Sequence, residues 1–128
     1  QRLDKFVTQR HILQKRYDSL LNDLAIIKPY QDQDNYSALH LYPIQVDLES
    51  IDKSRQQIFD ELRQSGIGVN VHYIPIHTQP YYQQLGFQEG SFPNSEVYYD
   101  RAISIPLFHT MTLEQQDEVV NNLKSILI

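Results

Sequence analysis

Apolar side chains recur every three or four positions through the first two dozen residues: Leu3, Phe6, Val7, Leu13, Tyr17, Leu20, Leu21 and Leu24, with Arg10 in the missing step. That spacing predicts an amphipathic helix. It should run to about Leu24 and stop before Pro29, because a proline biases the preceding residue out of the helical region. Lys5, Arg10, Lys15, Arg16 and Asp18 read as its solvated face. Periodicity vanishes over residues 30–35, a polar loop. Alternation then returns over residues 37–47 through Leu39, Leu41, Tyr42, Ile44 and Val46, predicting a strand in which Pro43 requires an edge position or a bulge.

Ser50 or Asp52 can cap a second helix whose apolar stripe is Ile51, Ile58, Phe59 and Leu62, and Gly66 offers the left-handed residue that ends it. Residues 68–74 follow as a short strand, so that strand, crossover helix and strand make a local α/β unit. Whether the two strands are neighbours stays open at this level. Residues 78–87 read as an irregular or short helical segment punctuated by Gly86 and Gly90. Pro93 suits a first helical position and predicts a helix from Phe92 through Arg101. An apolar strand over residues 102–107 precedes a Thr112-Leu-Glu-Gln capping box and a last helix that buries Val119, Val120, Leu123, Ile126 and Leu127. The sum is one α+β domain, a small domain of about three strands flanked by about four helices.

Composition narrows the partners. The 128 residues, 41% hydrophobic, suit a single core. With 11 Lys and Arg against 16 Asp and Glu the net charge is −5, and the cations are dispersed, so no nucleic-acid partner is expected. Cysteine is absent, which excludes disulfides and thiolate metal sites. No apolar run approaches the ~20 residues of a membrane span, so no membrane partner and a cytoplasmic location are expected. The chain begins at Gln1 already in helical register, with no Ser, Thr, Asp or Asn before Leu3 to cap the helix. This reads as a segment cut from a longer protein within or just before a helix; a natural terminus after Met removal is the alternative.

The segment from Gly66 to Tyr82 carries the densest candidate chemistry, with His72 and His77, Tyr73, Tyr81 and Tyr82, and Pro75 and Pro80. Imidazoles and phenols beside prolines suit a wall facing a polar ligand better than a strand built only for packing. A metal site is not expected: on a regular strand the odd separation of His72 and His77 puts them on opposite faces, and no carboxylate accompanies them. His40 and His109, lone in apolar surroundings, read as structural. No phosphate loop, paired-carboxylate motif or nucleophile elbow occurs, so no catalytic residue is assigned. Lys5, Lys15, Lys28, Lys53 and Lys124 lie in helical or loop stretches, mostly beside polar neighbours, and none has the apolar setting of a Schiff-base lysine.

Four segments taken together carry a family resemblance: Ser37-Ala-Leu-His-Leu-Tyr-Pro-Ile, Gly66-Ile-Gly-Val-Asn-Val-His-Tyr-Ile-Pro-Ile-His, Phe92-Pro-Asn-Ser-Glu and Arg101-Ala-Ile-Ser-Ile-Pro-Leu-Phe. They resemble the C-terminal part of the DegT/DnrJ/StrS-type sugar-nucleotide aminotransferases, of the fold-type I pyridoxal-phosphate class, over essentially the whole chain. Within the family the likeness leans to the transaminases of pseudaminic-acid synthesis, whose product is UDP-4-amino-4,6-dideoxy-N-acetyl-β-L-altrosamine.

The resemblance implies a full-length enzyme that uses pyridoxal phosphate to move an amino group from an amino-acid donor, usually glutamate, to a 4-keto nucleotide sugar. It also implies a homodimer whose sites draw on both subunits. The cofactor-binding residues, covalent lysine included, belong to a large N-terminal domain in such enzymes and are not in these residues. Residues 1–128 would thus be the C-terminal small domain, inactive alone. Carried over, His77 is implied as a hydrogen-bond donor to substrate, Tyr73 as a supporting contact and Pro75 as the bend that aims them. His72 is a weaker substrate contact that packing also accounts for. His40 and Tyr42 look structural, and Leu39 departs from the aromatic residue common in relatives.

A different class of function fits the same residues. A standalone α+β module could bind a small polar molecule, or serve regulation, through the Tyr73 and His77 face. A scaffold domain without a ligand would instead carry an extended exposed apolar patch.

Overall fold

A computed structural model describes residues 2–128; the expected helical register at Gln1 lies outside them. Five α-helices and a three-stranded sheet follow in the order α1 (Arg2–Leu20), β1 (Ile26–Ile27), β2 (Tyr42–Val46), α2 (Arg55–Gln64), α3 (Pro80–Gln84), α4 (Pro93–Arg101), β3 (Ala102–Ile105) and α5 (Leu113–Leu127), with a single 3₁₀ turn at Ile76–Thr78. The α+β class and the number of strands agree with the sequence reading. The short segment expected after residue 78 is a true helix, α3, which makes five helices rather than about four.

One of the three strands is not the one expected. Residues 68–74 contribute only an isolated antiparallel bridge, Asn70 to Ser104, while the third strand is the two-residue β1. The sheet order is β1-β2-β3 and every pair is antiparallel, so the expected α/β crossover unit is absent from it. The strand expected over 37–47 is confined to β2. Leu39, buried with φ of +50°, turns the chain before that strand can start. Such a backbone is rare for a branched residue, and its burial in the core offsets the cost.

Pro43 lies in the central strand, yet its missing N–H breaks no ladder bond. Ser104 spends its own N–H and C=O on Asn70, at 2.8 and 3.1 Å, and so pairs with Pro43 without hydrogen bonds. The proline nitrogen therefore faces the opposite side, where β1 reaches only Gln45 and Val46. The expected edge position exists locally.

Helix ends explain much of the rest. Ser54, rather than Ser50 or Asp52, caps α2 in a reciprocal box with Gln57, and Thr112 does the same for α5 with Gln115. Gly66, at φ +81°, closes α2: its N–H bonds the Arg63 carbonyl at 3.1 Å, and Ile67 N–H reaches Leu62 O at 2.9 Å. These are the two bonds of a Schellman turn, with Ile67 and Leu62 both in the core.

The core gathers Leu13 and Tyr17 from α1 and Leu21 just after it, Tyr42, Ile44 and Val46 from β2, Ile58 and Leu62 from α2, Ile103 from β3 and Leu123 from α5. Burying each such aliphatic side chain contributes about 1.5–3 kcal/mol. Two polar side chains in the core find partners: the Tyr17 hydroxyl donates to Pro106 O at 2.9 Å, and the Gln116 amide donates to Leu13 O at 2.7 Å. Arg16 joins the same seam, binding Gln116 at 3.2 Å and Asp117 at 2.6 Å. Two expected structural histidines differ from one another: His109 packs its ring 3.8 Å from that of Phe6, while His40 is exposed.

Candidate functional site

The Schellman turn at Gly66 aims the chain back along the sheet, where Val69 enters the core and Asn70 pairs with Ser104 at the edge of β3. From that edge the segment leaves regular structure. His72 Nδ1 lies 2.8 Å from Ser104 Oγ, which ties the ring to β3, and its face meets the Tyr73 ring edge-on at 4.7 Å. Tyr73 itself is 74% exposed. Pro75 is the bend: its carbonyl accepts from the backbone N–H of Thr78 at 3.0 Å and from the Thr78 hydroxyl at 2.8 Å, closing the 3₁₀ turn that sinks His77 inward.

His77 is 7% exposed and meets Glu96 of α4, Nε2 to Oε1, at 2.6 Å. The carboxylate also accepts from Gly90 N–H at 2.9 Å and from Phe92 N–H at 3.3 Å. Gly90 has φ of +86°, a conformation that leaves glycine the natural choice where the turn doubles back on the helix start. The Gly90 N–H, and after it the His77 and Phe92 bonds, hold the Glu96 carboxyl below its usual range.

Against this pair opens a cleft of about 370 Å³ lined by Ile76, His77, Tyr82, Phe87, Phe92 and Ser95. The Phe92 ring centroid is 4.9 Å from that of His77 and 6.1 Å from that of Phe87, and Tyr82 stands edge-on to Phe87 at 6.4 Å. The result is an aromatic mouth with few polar groups, suited to a ligand that offers both a flat or apolar face and hydroxyls.

Of the residues singled out from the sequence, His77 and Tyr82 line the cleft and Pro75 lies beside it, in a shallower depression shared with Thr78, Glu89 and Glu96. His72 and Tyr73 touch each other outside the cleft and do not line it. Glu96, Phe87 and Phe92 were not among the expected site residues. Glu96 had one signal, a carboxylate in the first turn after Phe92-Pro93, but nothing in the sequence says that it reaches a histidine nineteen positions earlier.

A model of the DegT/DnrJ/EryC1/StrS aminotransferase family matches residues 1–124. The chain belongs to this family. Among relatives of this DegT/DnrJ/EryC1/StrS domain, the spore coat polysaccharide biosynthesis protein SpsC of Bacillus subtilis is 35% identical over 128 residues, covering 98% of the chain and 33% of SpsC. Spr1654 from Streptococcus pneumoniae, in its apo form, superposes with a TM-score of 0.87 at 28% identity, over 98% of the chain and 31% of Spr1654; its pyridoxamine- and pyridoxal-phosphate forms match as well. Helicobacter pylori PseC, an aminotransferase involved in the biosynthesis of pseudoaminic acid, shares the fold with a TM-score of 0.85 at 24% identity, over 95% of the chain and 33% of PseC. The chain spans about a third of the length of the relatives it matches.

The cleft of this DegT/DnrJ/EryC1/StrS domain does not fit pyridoxal phosphate by itself. A phosphate needs cations or a cradle of N–H groups, and an aldehyde needs an amine. No lysine or arginine lines the cleft. Lys28 is bound to Asp18 O at 2.7 Å and to Asn22, and Lys53 holds Glu61 at 2.7 Å and Ile126 O at 3.0 Å, both away from it. No helix of the described residues is long and apolar enough to cross a membrane.

Proposed function

We propose that the chain is the C-terminal small domain of a pyridoxal-phosphate-dependent sugar aminotransferase, and that the cleft around His77 is the wall it turns toward a nucleotide-sugar substrate. The observation that carries this reading is a half-open aromatic cleft with one buried, carboxylate-bound histidine in a family domain that spans about a third of the length of its relatives. The missing amine and phosphate donors fit the same reading: the cofactor, its lysine and its phosphate site belong to a large N-terminal domain, and pyridoxal phosphate supplies the amino-group carrier there.

In this reading the whole enzyme transfers an amino group from glutamate to a 4-keto sugar on a nucleotide, of the pseudaminic-acid type, as a cytoplasmic homodimer. His77 binds a polar group of the sugar nucleotide. Tyr73, exposed outside the cleft with His72 against its ring, supplies a supporting contact to the ligand. The fragment alone is inactive.

The test uses the full-length protein carrying this domain. It should show the absorbance of bound pyridoxal phosphate and aminate a UDP-linked 4-keto sugar with glutamate as donor. Replacing His77 by Ala should raise KM for the sugar nucleotide about tenfold while the half-reaction with glutamate is unchanged, the signature of a lost binding contact. Absence of cofactor absorbance, or a His77→Ala enzyme with unaltered sugar kinetics, sinks the reading. Saturable binding of a nucleotide by the 128-residue chain alone, read by thermal shift, would favour a standalone binding module instead.

A further inference from the structure

Three donors converge on the Glu96 carboxylate: His77 Nε2 at 2.6 Å and the backbone N–H groups of Gly90 and Phe92 at 2.9 and 3.3 Å. The two backbone groups can only donate. They favour the ionised carboxylate, which has no proton to give, and Gly90 is the largest cause of its lowered pKa. Nε2 is therefore the donor in the pair. A neutral imidazole carries one N–H, so Nδ1 is left with its lone pair on a ring that lines the cleft.

We propose that Glu96 is a positioning residue that fixes the Nε2–H tautomer and the plane of His77, so that the cleft presents Nδ1 as an acceptor to a hydroxyl or amine of the sugar nucleotide. This rests on the reading of the cleft as a substrate wall, and it reverses the direction of the hydrogen bond expected of His77 from the sequence. With one proton on the ring, held at Nε2, the cleft is also selective: a ligand group that can only accept, such as a keto oxygen or a phosphate, finds no donor at Nδ1. One carboxylate sets two parts of the cleft, because the Phe92 N–H it binds anchors the ring that packs 4.9 Å from His77. Glu96 touches no ligand in this scheme and acts through those two residues.

The tautomer is read directly by nitrogen-15 NMR of the imidazoles in the 128-residue chain. Wild-type His77 should show a protonated Nε2 and a bare Nδ1; the opposite pattern overturns the proposal without any variant. His77 Nε2 and the Gly90 and Phe92 N–H groups all reach the same oxygen, Oε1, so the amide oxygen of Glu96→Gln can keep all three donors, whereas Glu96→Ala removes the acceptor and should let the His77 pattern shift toward Nδ1–H. Unchanged His77 signals in Glu96→Ala also overturn it. In the full-length enzyme, Glu96→Ala should raise KM for the sugar nucleotide about tenfold with kcat within about twofold, and adding His77→Ala should cost no more than about twofold further. Full additivity of the two losses refutes positioning. A His77→Ala enzyme with unchanged KM, beside an intact Nε2–H pattern in the wild type, takes down the substrate reading alone.

Discussion

Glu96 is the residue on which the most geometry depends, and its titration gives a signed prediction. Its pKa is lowered in the fold from an ordinary value of 4.5, by the Gly90 N–H first and then by His77 and Phe92. The stabilisation is therefore fully present above about that ordinary value and is lost as pH falls through the lowered folded one. Chemical denaturation of the wild type and Glu96→Gln across pH 7 to 3 should show a stability gap that is constant near neutrality and closes below the ordinary carboxyl value; a gap that widens in acid refutes the assignment. Tyr17 tests a neutral bond at the same scale. Burial pushes its phenol above the usual range, so it stays protonated and donates to Pro106 O. Tyr17→Phe leaves that carbonyl without its donor and should cost about 1–2 kcal/mol in urea denaturation at neutral pH. His77 was legible in the sequence because an imidazole beside prolines is poor material for a packing strand. Glu96 was not, because its partners Gly90, Phe92 and His77 are joined only by a turn and a bend, and periodicity carries no information about either.

At the scale of elements, the helices were legible and the strands only partly so. α2 announces itself by its stripe and its Gly66 stop, though its cap is Ser54, and α5 by its stripe and the Thr112 and Gln115 box, because each such signal acts within one or two turns. β1 is two residues long, too short for alternation to show, and its pairing of Ile26 with Val46 spans twenty positions, whereas β2 was legible inside the alternating run over 37–47. Residues 68–74 misled for a related reason: they alternate like a strand, but after the single Asn70 bridge His72 takes Ser104 Oγ and the Pro75 bend ends any ladder. The two glycines flanking Ile67 make a matched test. Gly66 sits at φ +81° in the Schellman turn, so Gly66→Ala should destabilise by about 1 kcal/mol. Gly68 has ordinary φ and open space where a Cβ would go, so Gly68→Ala should be neutral or stabilise by up to about 1 kcal/mol through the unfolded chain. Thermal melts of both variants decide the sign; equal losses would mean that the left-handed turn carries no special weight.

At the scale of the whole molecule, the two sides of the sheet edge differ in how well they are covered. The core around β2 and α5 is closed, with Tyr42, Ile44, Ile103 and Leu123 fully buried. The excursion between Tyr73 and Phe92 instead leaves Tyr73, Ile74, Ile76, Tyr81, Leu85 and Phe92 largely exposed. Ring contacts link Tyr81, Tyr82, Phe87, Phe92 and His77 into one aromatic surface. A monomeric soluble domain seldom leaves such a surface bare. In the proposed enzyme it faces the substrate and the large domain, so its exposure should depend on what else the chain is joined to. The 128-residue chain should enhance the fluorescence of an apolar dye such as ANS, and Ile74→Ser with Leu85→Ser should reduce that signal by at least about half without lowering the melting temperature, because both side chains are already in solvent. The full-length protein should bind markedly less dye per domain. Equal binding by the fragment and the full-length protein would mean that the surface stays open in the whole enzyme, and the cleft would then have to meet its ligand without a second wall.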